Sequence, residues 1–69
     1  MKTIEQMRKS AGMTQMQLAV AVGVSLATVY NWEARKTEPK ASQLRKVATL
    51  FGVSMDDIDF EPRDKVAAG

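Results

Sequence analysis

The chain has 69 residues, ten lysines and arginines against eight acids, and neither cysteine nor histidine. A domain this short buries only about 60% of the surface its unfolded chain exposes. Disulfides are excluded as reinforcement, and transition-metal sites built on thiolate or imidazole are excluded with them, so no cofactor or metal is expected. Helix packing and self-association remain.

The charges are unevenly spread. Residues 1–53 hold eight bases against three acids, and residues 54–69 hold two bases against five acids. A basic body with an acidic end points to a polyanionic partner for the body. The apolar run LAVAVGV follows Arg8 and Lys9, but Gln15 and Gln17 interrupt the approach and Asn31 and Glu33 come soon after. It reads as a core helix rather than a secretory leader. No run approaches the roughly 18 apolar residues of a membrane span. The lack of cysteine fits a reducing, cytoplasmic setting.

In chain order, Thr3 with Gln6 and Thr14 with Gln17 fit the T-x-x-Q capping box, which marks two helix starts. Ser25 can cap a third helix, and Ser54, followed by Asp56 and Asp57, can open a fifth. Gly12, Gly23, Pro39 and Gly52 stand where helices should stop or turn. Between these marks the apolar residues keep a 3.6-residue period. Ile4, Met7 and Ala11 form one stripe, and Leu18, Ala19 and Val22 the next. Val29 with Trp32, and then Leu44, Val47, Ala48 and Phe51, complete the set. Five helices are predicted, at about 3–11, 14–22, 25–34, 41–51 and 54–59. The five methionines are expected to fill gaps in a small core. EPRDKVAAG, residues 61–69, has no periodicity and is expected to be a flexible tail to a domain spanning 1–60.

Residues 15–34 carry the most specific spacing. Only Gly23, Val24 and Ser25 separate two helices, and Gly23 can take a positive φ at little cost. Ala19, four residues earlier, is small enough for the second helix to cross close above it. Leu18, Val22, Val24, Val29 and Trp32 supply the apolar faces that meet beneath. The combination is a helix-turn-helix.

MTQMQLAVAVGVSLATVYNWEARKTEP resembles the Cro/C1-type (XRE-type) helix-turn-helix family of bacterial and phage repressors, and LFGVSMDDI resembles that family's closing segment. The resemblance runs from about Ile4 to Ile58. It implies an all-α fold, a compact five-helix bundle of lambda-repressor-like architecture, and a homodimer on double-stranded DNA. It also implies that the helix opening at Ser25 lies in the major groove with its first residues toward base edges.

On that placement Asn31 can make a bidentate contact to adenine, Ser25 and Thr28 can donate or accept, and Leu26 and Ala27 can touch a thymine methyl. With no arginine on this helix, A/T-leaning contacts are expected. Gln15 resembles the family's phosphate-binding glutamine at a helix N-terminus. Thr28 occupies a position that meets phosphate in relatives. Arg35, Lys36, Thr37 and Lys40 would grip the backbone on the other flank, and Tyr30 can donate to phosphate or stack on a sugar. Leu26 has a plainer role open to it, shielding the rim of the motif, and Tyr30 can be a packing residue. Trp32 reads as core. By resemblance, Arg8 pairs with Glu33 and fixes the reading helix; the alternative is two solvated charges.

One position departs from the family. Relatives commonly carry glycine two residues after the position of Glu33, where this chain has Arg35. Arginine in the left-handed helix-ending conformation costs about 1 kcal/mol or more. Either that helix ends differently, or a phosphate contact compensates. Lys40 is a poor N-cap, which predicts a fourth helix starting a residue or two late.

The leading expectation is a sequence-specific DNA-binding transcriptional regulator, a repressor, acting as a homodimer with half-sites about 34 Å apart. Leu50, Met55, Ile58 and Phe60 are the candidate dimer patch, although Met55 and Ile58 can instead close the core. The alternative is a protein-interaction module of the same fold that docks to another regulator, which the uncharged reading helix keeps open. Catalysis is not expected: histidine, cysteine and a Gly-rich phosphate loop are absent, and Asp56 and Asp57 are adjacent, so a helix would point them apart.

Overall fold

A computed structural model describes residues 1–60 of the chain. The expected tail, 61–69, lies outside the described residues. The element order is β1 (Lys2–Thr3), α1 (Ile4–Ser10), α2 (Gln15–Val22), α3 (Leu26–Glu33), α4 (Ala41–Phe51), a 3-10 turn (Met55–Asp57) and β2 (Ile58–Asp59).

Capping within three residues sets the helix starts. Thr3 and Thr14 each accept from the backbone N–H of the glutamine three residues on, and each donates its own N–H to that glutamine's side chain. Ser25 Oγ accepts the Thr28 N–H at 3.2 Å. At α4 the solution is half a box. The Lys40 N–H donates to Gln43 Oε1 at 2.8 Å, and the helix opens at Ala41. The late start expected from Lys40 does not occur: the lysine side chain cannot accept the Gln43 N–H, but the Gln43 side chain accepts the Lys40 N–H and supplies the other half of the box.

Helix ends share one backbone motif. At the end of α2, Gly23 has φ of +81°, its N–H donates to Val20 O at 3.2 Å, and the Val24 N–H reaches back to Ala19 O at 2.9 Å. These paired bonds satisfy carbonyls that the helix leaves open and swing the chain sharply toward α3. The ends of α1 and α4 repeat them at Gly12 and Gly52.

The core is a single cluster. Ile4 and Met7 from α1, Leu18, Ala19 and Val22 from α2, Val29 and Trp32 from α3, and Leu44, Val47 and Ala48 from α4 are buried together with Ile58. The predicted stripes therefore face inward, except that Ala11 is exposed and Phe51 only half-buried. α2 packs on α3 more extensively than any other pair. Met7 is buried, Met13 and Met55 pack at the core's edge, and Met1 and Met16 are exposed, so the methionines do not all fill the core.

The predicted fifth helix is corrected. Ser54 does open a turn, but it is a short 3-10 turn that gives way to β2, which pairs in parallel with β1 (Lys2 opposite Ile58, Thr3 opposite Asp59). Extended backbone at Ile58 seats its side chain in the core with full burial. The fold is predominantly helical, with four α-helices among the described residues and a two-residue strand at each end of them. The envisaged dimer patch dissolves with this change. Ile58 is core, Met55 and Phe60 pack against it, and of the four only Leu50 is exposed.

Candidate nucleic-acid interface

α3 is anchored by one face and open on the other. Val29 and Trp32 are buried beneath it. At 100° per residue, Leu26, Ala27, Tyr30 and Asn31 fall within an arc of about 140° on the far side. Leu26 and Tyr30 are exposed to 42% and 54%. This outer face carries no formal charge. Ser25 and Thr28 stand at its entrance with hydroxyls 2.8 Å apart, and Ser25 also caps the helix, so its oxygen already holds one backbone N–H.

Cations follow at once. Lys36, Thr37 and Lys40 are exposed in the segment after α3. Lys36 Nζ sits 5.9 Å from the centroid of the Tyr30 ring, which places that ammonium beside the open face in a cation–π arrangement. Of the roles the sequence left open for Tyr30, packing in the core does not occur: the ring stays in solvent, with Lys36 beside it.

A buried polar network holds the pose of α3 from behind. Arg8 Nε donates to Glu33 Oε2 at 2.6 Å and a terminal nitrogen donates to Oε1 at 3.1 Å. The other terminal nitrogen donates to the Met13 carbonyl at 2.7 Å. The side chains are 10% and 4% exposed, so the carboxylate has lost nearly all its water and depends on these partners. Its hydrogen bond to Glu33 raises the Arg8 pKa above the ordinary arginine value against the opposing effect of burial, and the charges of Glu33 and Glu5 add to it. A raised folded-state pKa means the pair's contribution is complete below the unfolded value and lost only as pH climbs through the folded one, so Arg8 brings no titration near neutrality.

Gln15 completes the network. Its Nε2 donates to Glu33 Oε1 at 2.9 Å. The residue expected at a phosphate is therefore oriented by the same carboxylate that fixes α3, which ties the N-terminus of α2 to the last turn of α3. The sequence signalled Arg8 and Glu33 only through family resemblance. The third partner lies 18 residues from Glu33 and had no local signal.

Arg35 goes elsewhere than expected. It adopts φ of +62°, and the ending it builds on α3 matches that at Gly23: its N–H donates to Trp32 O at 3.1 Å and the Lys36 N–H to Asn31 O at 3.0 Å. Its guanidinium turns back to β2, with one terminal nitrogen 2.9 Å from Asp59 Oδ1 and the other 3.5 Å from the Asp59 carbonyl. Its Nε is buried without a protein hydrogen-bond partner. The strain of the left-handed arginine is offset by a carboxylate of this chain. Departure from glycine was the visible clue, and Asp59, 24 residues away, was not readable from spacing.

The family model described as Helix-turn-helix matches residues 4–58. The chain belongs to this family, of the Cro/C1 type. It is 40% identical over 42 residues to an uncharacterized HTH-type transcriptional regulator of Escherichia coli strain K12, YiaG, a match covering 61% of this chain and 44% of that protein. It is 31% identical over 55 residues to the HTH-type transcriptional activator BcrR of Enterococcus faecalis, covering 80% of this chain and 27% of that one. The chain thus spans less than half the length of these curated relatives. Among the described residues, no helix of this helix-turn-helix protein is long and apolar enough to cross a membrane.

Proposed function

We propose that this helix-turn-helix chain is a sequence-specific DNA-binding transcriptional regulator that lays the outer face of α3 in the major groove. The observation that carries the reading is the pairing of an exposed, uncharged helical face with cations set immediately beside it, Lys36 over Tyr30 above all. Base edges are read by hydrogen bonds and methyl contacts, for which Ser25, Leu26, Ala27 and Asn31 suffice. Phosphates supply most of the affinity. Gln15, Thr28, Tyr30, Lys36, Thr37 and Lys40 are assigned to them; Arg35, held by Asp59, is withdrawn from that role. The relatives' names as transcriptional regulators support the same reading.

Binding is assigned to a homodimer on a two-fold operator in the cytoplasm, with repression by occupancy as its output. A reporter with the operator placed over or upstream of a promoter separates repression from activation. If two subunits neutralise about eight phosphates, log affinity falls with log salt at a slope near −7. The test is selection from random duplex DNA, repeated with Asn31→Ala and Lys36→Ala. Asn31→Ala should relax preference at one or two base positions, whereas Lys36→Ala should weaken all sequences alike and reduce the salt slope by about 1. Failure to enrich any motif, with stable capture of another regulator by the face of Leu26 and Tyr30, would replace this reading with protein docking.

A further inference from the structure

We propose that Arg35 and Asp59 form a positioning latch, through which the C-terminal strand sets the pose of the reading helix and of the lysines beside it. The inference rests on the DNA-binding reading above and adds residues that touch no nucleic acid.

Arg35 is the only non-glycine residue with positive φ among the described residues. A backbone conformation that disfavours arginine persists only where its surroundings favour it, and here both terminal nitrogens are directed at Asp59. The side chain is 17% exposed, so it packs along β2 instead of reaching outward. The latch acts on two functional groups through the backbone. The Lys36 N–H is bonded to the carbonyl of Asn31, so the turn at Arg35 fixes the start of the cationic segment relative to the residue assigned to adenine. Asp59 is itself held, because it pairs with Thr3 across the two strands, and Thr3 caps α1. α1 carries Arg8, which grips Glu33 in the last turn of α3. The contacts close a ring from α3 through β2, β1 and α1 back to α3, and Arg35 joins its two ends. A glycine at position 35 would form the same turn but leave that ring open.

The experiment compares the full chain with Asp59→Asn, Arg35→Gly and the double variant. It follows amide hydrogen exchange at Arg35 and Lys36, and affinity for a selected duplex at two salt concentrations. The latch predicts that Asp59→Asn speeds exchange of the Lys36 amide and weakens DNA binding, each by roughly two- to five-fold, the range for one partly exposed ion pair. The salt slope stays unchanged, because no phosphate contact is lost. Arg35→Gly weakens DNA binding to a similar extent while the turn itself stays formed, and adding Asp59→Asn to it changes nothing more. Tighter binding by Asp59→Asn with a slope steeper by about 1 would overturn the proposal, since Arg35 would then be a phosphate ligand held back by Asp59. Unchanged exchange and unchanged affinity would overturn it as well. If the wild-type chain bound no duplex while exchange still responded, the DNA-binding reading and the latch's role in it would fall, and only a structural hold on α3 would survive.

Discussion

The ends of α2 and α3 have the same backbone and opposite chemistry. Each closes on a left-handed residue whose N–H and whose successor's N–H return to the helix. At α2 that residue is Gly23, where a Cβ would meet nothing within 4 Å, so glycine is there for its φ alone. At α3 it is Arg35, which bears the strain and uses its side chain to reach Asp59. The first solution makes a turn between two helices that are already packed on one another. The second ties the helix with the open face to β2, at the far end of the described residues. A turn that only has to bend takes glycine; a turn that also has to hold a position can use a side chain.

Three substitutions break or sharpen this contrast. The largest effect falls on the other support of the α3 end. Glu33→Ala leaves Arg8 charged, buried and unpaired, and should destabilise the domain by about 3 kcal/mol or more. Urea unfolding followed by circular dichroism would show it, and a loss under about 1 kcal/mol would mean the pair is better hydrated than its burial implies. Gly23→Ala comes next, with a loss of about 1–2 kcal/mol from the left-handed backbone alone, there being no collision to add. Arg35→Gly is the smallest. Relief of about 1 kcal/mol of strain offsets an ion pair worth about as much or less, so thermal and urea stability should change by no more than about 1 kcal/mol in either direction. Equal losses at Gly23→Ala and Arg35→Gly would show that the two turns do not differ as described.

The parts of the fold that were legible in sequence are those whose causes are local. Thr3 with Gln6, Thr14 with Gln17 and Ser25 each signal a helix start within three residues, and each caps one. Gly23 announces its own turn. The apolar period separates Leu18, Val29 and Val47, which are fully buried, from Leu26 and Tyr30, which are open. What escaped depends on residues distant in the chain. Strands of two residues have no period to detect, so Thr3 was read only as a helix start and Ile58–Asp59 as helix. Gln15 was read only as a phosphate contact because Glu33 is brought to it by the packing of α2 on α3. Lys40 looked like a failed cap because the compensating acceptor belongs to Gln43. Arg35 was read as a phosphate ligand with the cations that follow α3, because its partner Asp59 lies 24 residues away.

The central claim is that the outer face of α3 meets the duplex while its inner face stays locked by Arg8, Glu33 and Gln15. Titrating the isotopically labelled protein with a duplex recovered by selection, and following its amide resonances, tests this directly. The account predicts the largest shifts from Ser25 through Tyr30 and on to Lys36 and Thr37, with Val47 and Ile58 nearly still. Shifts concentrated on Met16 and Val20 of α2, or on Arg45 and Leu50 of α4, with Leu26 to Asn31 silent, would contradict it.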